Sequence, residues 1–122
     1  MAVNKLLVTL RKKLVSYVAG SAPNNTPVIT ANQVFSTSTA SVAFTAGTNT
    51  GSAITNYKYR YAISPTAPTG SYTACSPAVT GSPLTIPGLD ISQTYIVQIL
   101  ATNAYGDGPA SSTQYIDGSN IV

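Results

Sequence analysis

The 122-residue chain contains no histidine, no tryptophan and no glutamate. Its acids are three aspartates, Asp90, Asp107 and Asp117, and its one cysteine is Cys75. Without histidine neither a Ser-His-Asp nor a Cys-His arrangement can be assembled, and proton transfer near neutral pH loses its usual agent. One cysteine and no histidine leave no set of transition-metal ligands. Asp90 and Asp107 fall in loops expected at opposite ends of the same strand, which argues against a paired-carboxylate hydrolase. Gly47 to Ser52 (Gly-Thr-Asn-Thr-Gly-Ser) has glycines but no Gly-Lys-Ser/Thr ending and no helix behind it, so it is not read as a phosphate cradle. No enzyme, cofactor, metal or small-molecule substrate is expected. A lone cysteine also rules out an internal disulfide, and Cys75 reads as a small buried hydrophobe.

What is present points to short strands. Hydrophobic residues make up 43% of the chain, enough for a core, and the length suits one domain. Serine and threonine contribute about a quarter of the residues, with glycine and proline scattered among them. That composition reads as strands and turns, not as a disordered tract.

The most informative stretch runs from Leu89 to Ser111. Tyr95 to Thr102 reads as one strand, with Tyr95, Val97, Ile99 and Ala101 on one face by the two-residue period. A Gly-Asp-Gly-Pro turn is expected at Gly106 to Pro109. In Leu89, Tyr95, Ala101, Asn103, Gly106, Gly108 and Ser111 the chain resembles a fibronectin type III domain. The resemblance implies an all-β, seven-stranded antiparallel Ig-like sandwich over about residues 27–117. It also implies that Tyr95 forms a tyrosine corner, its hydroxyl bonded to backbone between Leu89 and Ser92. Phe44 stands where that family usually has a tryptophan, and no Arg-Gly-Asp loop is present, since Tyr105 precedes Gly106-Asp107.

The remaining strands follow from alternation and turn residues. Val28 to Phe35 is the first, with Ile29 and Val34 inward. Ala40 to Ala46 places Ala40, Val42, Phe44 and Ala46 inside. Ile54 to Ile63 puts Tyr57, Tyr59 and Tyr61 toward the core and Lys58 and Arg60 outside. Basic residues interleaved with aromatics can bind nucleic acid, but here the period hides the rings and leaves only two charges, so no nucleic acid is expected. Tyr72 to Ser76 is a short edge strand ended by Pro77. Ser82 to Pro87 carries Leu84 and Ile86 inward, Leu89 plugs the core, and Ala110 to Ile116 is the last strand. Residues 118–122 are a tail. On the outward side of the sixth strand, Ile96 and Leu100 beside Lys58 and Arg60 form an apolar strip with a basic margin. It is either ordinary scattered surface or a protein-contact face.

Residues 1–20 differ from the rest. They hold Lys5, Arg11, Lys12 and Lys13 and no acid. Val3, Leu6, Leu7, Leu10, Leu14, Tyr17 and Val18 recur at helical spacing, so an amphipathic helix is expected up to Gly20. The segment is too short in apolar run for a secretory signal, and Arg-Lys-Lys forbids a membrane span. It suits an anchor, through Leu6, Leu7, Leu10, Arg11, Lys12, Lys13 and Leu14, docked on a larger protein assembly, on an anionic membrane surface or on its own sandwich. Residues 21–26 read as a linker, and Asn24-Asn25-Thr26 matches the glycan acceptor pattern. Two functions are expected. One is a structural module of a large assembly, such as a minor capsid protein of a virion, because the Ser/Thr/Ala-rich, charge-poor sandwich looks like modules of phage and large DNA virus particles. The other is a cell-surface adhesin or carbohydrate-associated module. In the first, the partners are other structural proteins, and loops Gly47–Ser52 and Ala104–Pro109 would make outward contacts.

Overall fold

The structure, a computed structural model, describes residues 20–30, 34–36 and 38–117. The expected N-terminal helix, its anchor residues Leu6, Leu7, Leu10, Arg11, Lys12, Lys13 and Leu14, and the tail 118–122 lie outside the described residues, as does the Val34 side chain. Every regular element among the described residues is a strand.

Ten short segments run along seven strand lines. The first line is β1 (Val28–Ile29) and β2 (Val34–Ser36), and the second is β3 (Thr39–Val42) and β4 (Phe44–Thr45). β5 (Asn56–Ile63), β6 (Thr73–Ala74), β7 (Leu84–Ile86) and β8 (Thr94–Asn103) follow, and β9 (Gly106–Asp107) with β10 (Gln114–Asp117) completes the last line. One layer contains the pair β1-β4 and the ladder β2-β3-β7; the other has the order β10-β8-β5-β6, with β9 also on β8. All pairings are antiparallel.

The second line differs from the expected unbroken strand at Ala43, and the pairing changes register between its two ladders. Ile29 faces Phe44 while Val34 faces Ser41, so the two ladders differ in register by two residues. Thr30 marks the break, donating from both its backbone N and its Oγ1 to Ala43 O. A local insertion of this kind bends a strand without changing which residues are apolar, which is why alternation alone does not show it.

The core lies between the layers. Ile29, Ala40, Val42, Phe44, Leu84 and Ile86 meet Tyr57, Tyr59, Tyr95, Val97, Ile99, Ala101 and Ile116. The odd residues of β8 are therefore inward, as its period requires. Phe44 packs on Tyr57 at 4.6 Å between ring centroids, so phenylalanine serves as the aromatic anchor of its strand. Leu89 is buried, and its N donates to Ser38 O. Cys75 is buried and free, and burial pushes its thiol pKa up, in keeping with a packing role. Tyr61 departs from expectation: it is 37% exposed. It shares the face of Tyr57 and Tyr59 but lies near the end of β5, where cover from the opposite layer runs out.

The tyrosine corner is formed. Asp90 N donates to Tyr95 Oη at 2.7 Å, and Tyr95 is buried against Tyr61 with rings edge to face at 5.5 Å. The expected Gly-Asp-Gly-Pro turn lies earlier than the sequence suggests. Ala104 and Tyr105 make the turn, and Gly106-Asp107 already pairs with Thr102 and Asn103.

Candidate interaction sites

Two places on the sandwich merit attention: the outer face of the β10-β8-β5-β6 sheet and the end from which the N-terminal segment departs.

On the outer face, register places Leu100 opposite Lys58, Gln98 opposite Arg60, and Ile96 between Ala62 and Tyr115. Sequence reasoning put Ile96 and Leu100 on this side, and they are there. They do not form an exposed strip: Ile96 is 7% and Leu100 4% exposed. Lys58 Nζ reaches Asp107 at 3.0 Å, an ion pair that crosses β8 from β5 to β9 and lays the lysine stem beside Leu100. Thr102 Oγ1 donates to Asp107 Oδ1 at 2.7 Å. The Thr102 hydroxyl first, and Lys58 after it, hold the Asp107 carboxyl below the usual carboxylate range.

Arg60 is fixed more tightly. Its Nε and Nη2 donate to Gln98 Oε1 at 3.0 and 2.7 Å, its Nη1 donates to Gly70 O at 3.0 Å, and its guanidinium lies 4.5 Å over the Tyr72 ring. Gln98 Nε2 then donates to Ser111 O. This polar line crosses the sheet between Ile96 and Leu100. Lys58 and Arg60 thus lie tied down beside buried aliphatics and do not rim an open apolar patch. The long stems of Lys58, Arg60 and Gln98 on facing strands were the signal in the sequence that could have shown it.

At the other place, residues 21–27 have no regular structure but are no free spacer. Pro23, Asn25 and Pro27 are buried. Ser21 N donates to Ser52 Oγ, Ser52 N donates to Ser21 O, and Asn103 Nδ2 also donates to Ser21 O. Asn24 N donates to Asn49 Oδ1, and Thr50 N donates back to Asn24 Oδ1. The glycan-acceptor asparagine thus has its carboxamide engaged. Asn25 Nδ2 donates to Ala46 O at 2.6 Å. Its Oδ1 and the Tyr57 hydroxyl are buried side chain atoms without a hydrogen-bond partner among the described residues. Burial pushes the Tyr57 pKa up, and the nearby Asn25 carboxamide offsets part of that rise, at an approach too loose to be a hydrogen bond.

Two glycines make this seat possible. A Cβ on Gly51 would collide with Ala22 O, and one on Gly108 would sit 2.8 Å from Pro23 O. Each belongs to one of the loops that sequence reasoning assigned to outward contacts. Those loops, Gly47–Ser52 and Ala104–Pro109, grip the chain's own residues 20–25, with Gly20 against the Tyr105 ring.

Among the described residues no three metal-ligating side chains gather, and no helix is long and apolar enough to cross a membrane.

Two facing antiparallel layers, a tyrosine corner on the sixth strand line and a last line interrupted between β9 and β10 define an Ig-like β-sandwich. Comparison with solved structures identifies the fold as that of fibronectin type III domains. The structure of chicken CNTN1 FN1-FN3 domains matches with a TM-score of 0.56 and 23% identity over 78% of this chain. The third fibronectin III domain of human KIAA0343 protein matches with a TM-score of 0.58 and 16% identity over 84% of this chain and 90% of that one. The twitchin kinase region of C. elegans matches with a TM-score of 0.56 and 20% identity over 84% of this chain. This chain spans 32% of the CNTN1 structure and 18% of the twitchin structure. No protein-family model and no curated protein matches. Domains with this fold are generally non-catalytic modules, and the fold by itself does not assign a role.

Proposed function

We propose that the chain is a non-enzymatic structural module that is fixed in a large assembly by its basic N-terminal segment. The observation that carries this reading is the seating of residues 20–25 between loops 47–52 and 104–109, which holds the chain firmly at Gly20, the residue that follows the basic segment. A linker meant only to let an anchor wander has no need of glycines cut to its backbone. The leader's Leu stripe and four cations then supply the attachment, to other structural proteins of the assembly. Matching structures with the fold carry it beside further domains, which suits a module that holds and spaces. A virion, with the chain as a minor capsid protein, is the setting that the charge-poor, Ser/Thr-rich composition suits.

The test is removal of residues 1–19 with the clamped segment 20–25 retained. The expected result is loss of the chain from assembled particles while its circular dichroism and unfolding midpoint stay unchanged. Retention in particles at the wild-type level refutes the reading.

A further inference from the structure

Residues 21–27 close over the end of the sandwich through one buried polar side chain. Pro23, Asn25 and Pro27 are buried, while Ser21, Asn24 and Thr26 are exposed. Proline has no N–H to offer, so Asn25 is the residue of this run that carries polar side-chain atoms into the interior. Its Nδ2 donates to Ala46 O at 2.6 Å. That bond fixes which way round the carboxamide sits, because the reverse orientation would set its oxygen against a carbonyl oxygen. Asn25 Oδ1 is then left without a partner, and so is Tyr57 Oη. Tyr57 is fully buried and held in place. Phe44 packs on its ring with centroids 4.6 Å apart, and its backbone carbonyl accepts from Cys75 N. The carboxamide is near enough to offset part of the rise in the Tyr57 pKa, yet no hydrogen bond joins the two. Orphaned buried polar atoms are costly, and native interiors keep few of them. Here two lie together and are complementary, since the hydroxyl can donate and the carboxamide oxygen can accept.

We propose that Asn25 and Tyr57 bind one buried water molecule, which seats residues 21–27 on the sandwich. The water accepts from the Tyr57 hydroxyl, donates to Asn25 Oδ1 and turns its second proton to Ala46 O, since a carbonyl oxygen accepts twice. Three partners is the usual number for an internal water. A cation is the poorer guest, because residues 20–57 contain no acid to neutralise it and the Tyr57 hydroxyl would turn its proton toward it. Gly51 and Gly108 let this segment come close, and the water satisfies what that close approach buries. The inference concerns the clamp alone and does not depend on what residues 1–19 bind.

Magnetic relaxation dispersion of water in a solution of the full chain tests it, because the method counts waters held for longer than the protein tumbles. Tyr57→Phe keeps the ring and removes the hydroxyl, so the fold is retained. One long-lived water fewer than in wild type is expected. A crystal structure of the wild-type chain is expected to place a water at about 2.5–3.2 Å from both Tyr57 Oη and Asn25 Oδ1. The unfolding equilibrium constant of Tyr57→Phe is expected to rise about three- to tenfold, because Asn25 Oδ1 stays buried without its partner. The amides of Ser52 and Thr50, which bond Ser21 O and Asn24 Oδ1, are expected to exchange faster by at least that factor. In an Asn25→Leu background, Tyr57→Phe is expected to cost nothing further, since the water has already lost its site. A direct bond from Tyr57 Oη to Asn25 Oδ1 with no water between them, or an unchanged count of long-lived waters, overturns the inference. So does a Tyr57→Phe chain as stable as wild type or more so, which would mean that the hydroxyl is buried dry. An equal cost of Tyr57→Phe in both backgrounds overturns it as well, because hydroxyl and carboxamide then share no partner.

Discussion

The two sides of β8 are both out of water, by different means. Its odd residues Tyr95, Val97, Ile99 and Ala101 meet a second sheet. Its even residues Ile96 and Leu100 are buried but lie outside the core cluster, and among the described residues the tied-down side chains of Lys58, Arg60 and Gln98 lie beside them on the same face. A facing sheet excludes water with rigid, close-packed atoms. Lysine, arginine and glutamine stems beside an aliphatic help to exclude it only while their head groups stay tied down. The two sides should therefore respond differently to mutation and to pH.

The largest effect is expected at Ile99→Ala, which leaves a cavity at a fully buried site and should cost about 2–4 kcal/mol, read from the urea midpoint. A loss below about 1 kcal/mol would mean that the inner side is no better packed than the outer. Leu100→Ala should cost less, about 1–2 kcal/mol, because these long side chains can settle into the space. If it matched Ile99→Ala, the distinction between the two sides would fail. Tyr95→Phe keeps the ring and removes the acceptor of the Asp90 N–H, and about 0.5–1.5 kcal/mol is expected. No change in denaturation midpoint would show that the corner contributes no stability.

The smallest effect concerns the charge on this outer side. Asp107 is 41% exposed in its side chain, so its pair with Lys58 should contribute only about 0.5 kcal/mol or less. Its carboxyl pKa is lowered on folding, so this contribution is complete above the ordinary aspartate range. It is lost as the pH falls through the lowered value. Asp107→Asn should be slightly less stable than wild type at pH 7, and the difference should vanish in acid. A constant difference from pH 7 down to pH 2 would remove Asp107's ionisation as the cause.

Parts of this were legible in the sequence for a local reason. The alternation of β8, the inward Leu84 and Ile86, the plug at Leu89 and the Tyr95 corner each depend on residues a few positions apart. The clamp on residues 20–25 was not legible. Ser-Ala-Pro-Asn-Asn-Thr-Pro has the composition of a spacer, and the groups that pin it lie 21 to 82 residues away in sequence. Gly51 and Gly108 looked like turn residues, yet each is required by an approaching backbone.

By itself the sequence determined which side of each long strand a residue occupies, because a pleated strand turns every second side chain the same way. It also determined that none of these 122 residues can act as a histidine, because a side chain missing from the chain cannot be supplied by folding. Only the tertiary structure decided which outward residues are buried and where residues 20–25 are held. Both are set by distant residues brought together by the sheets, at separations that no local pattern records.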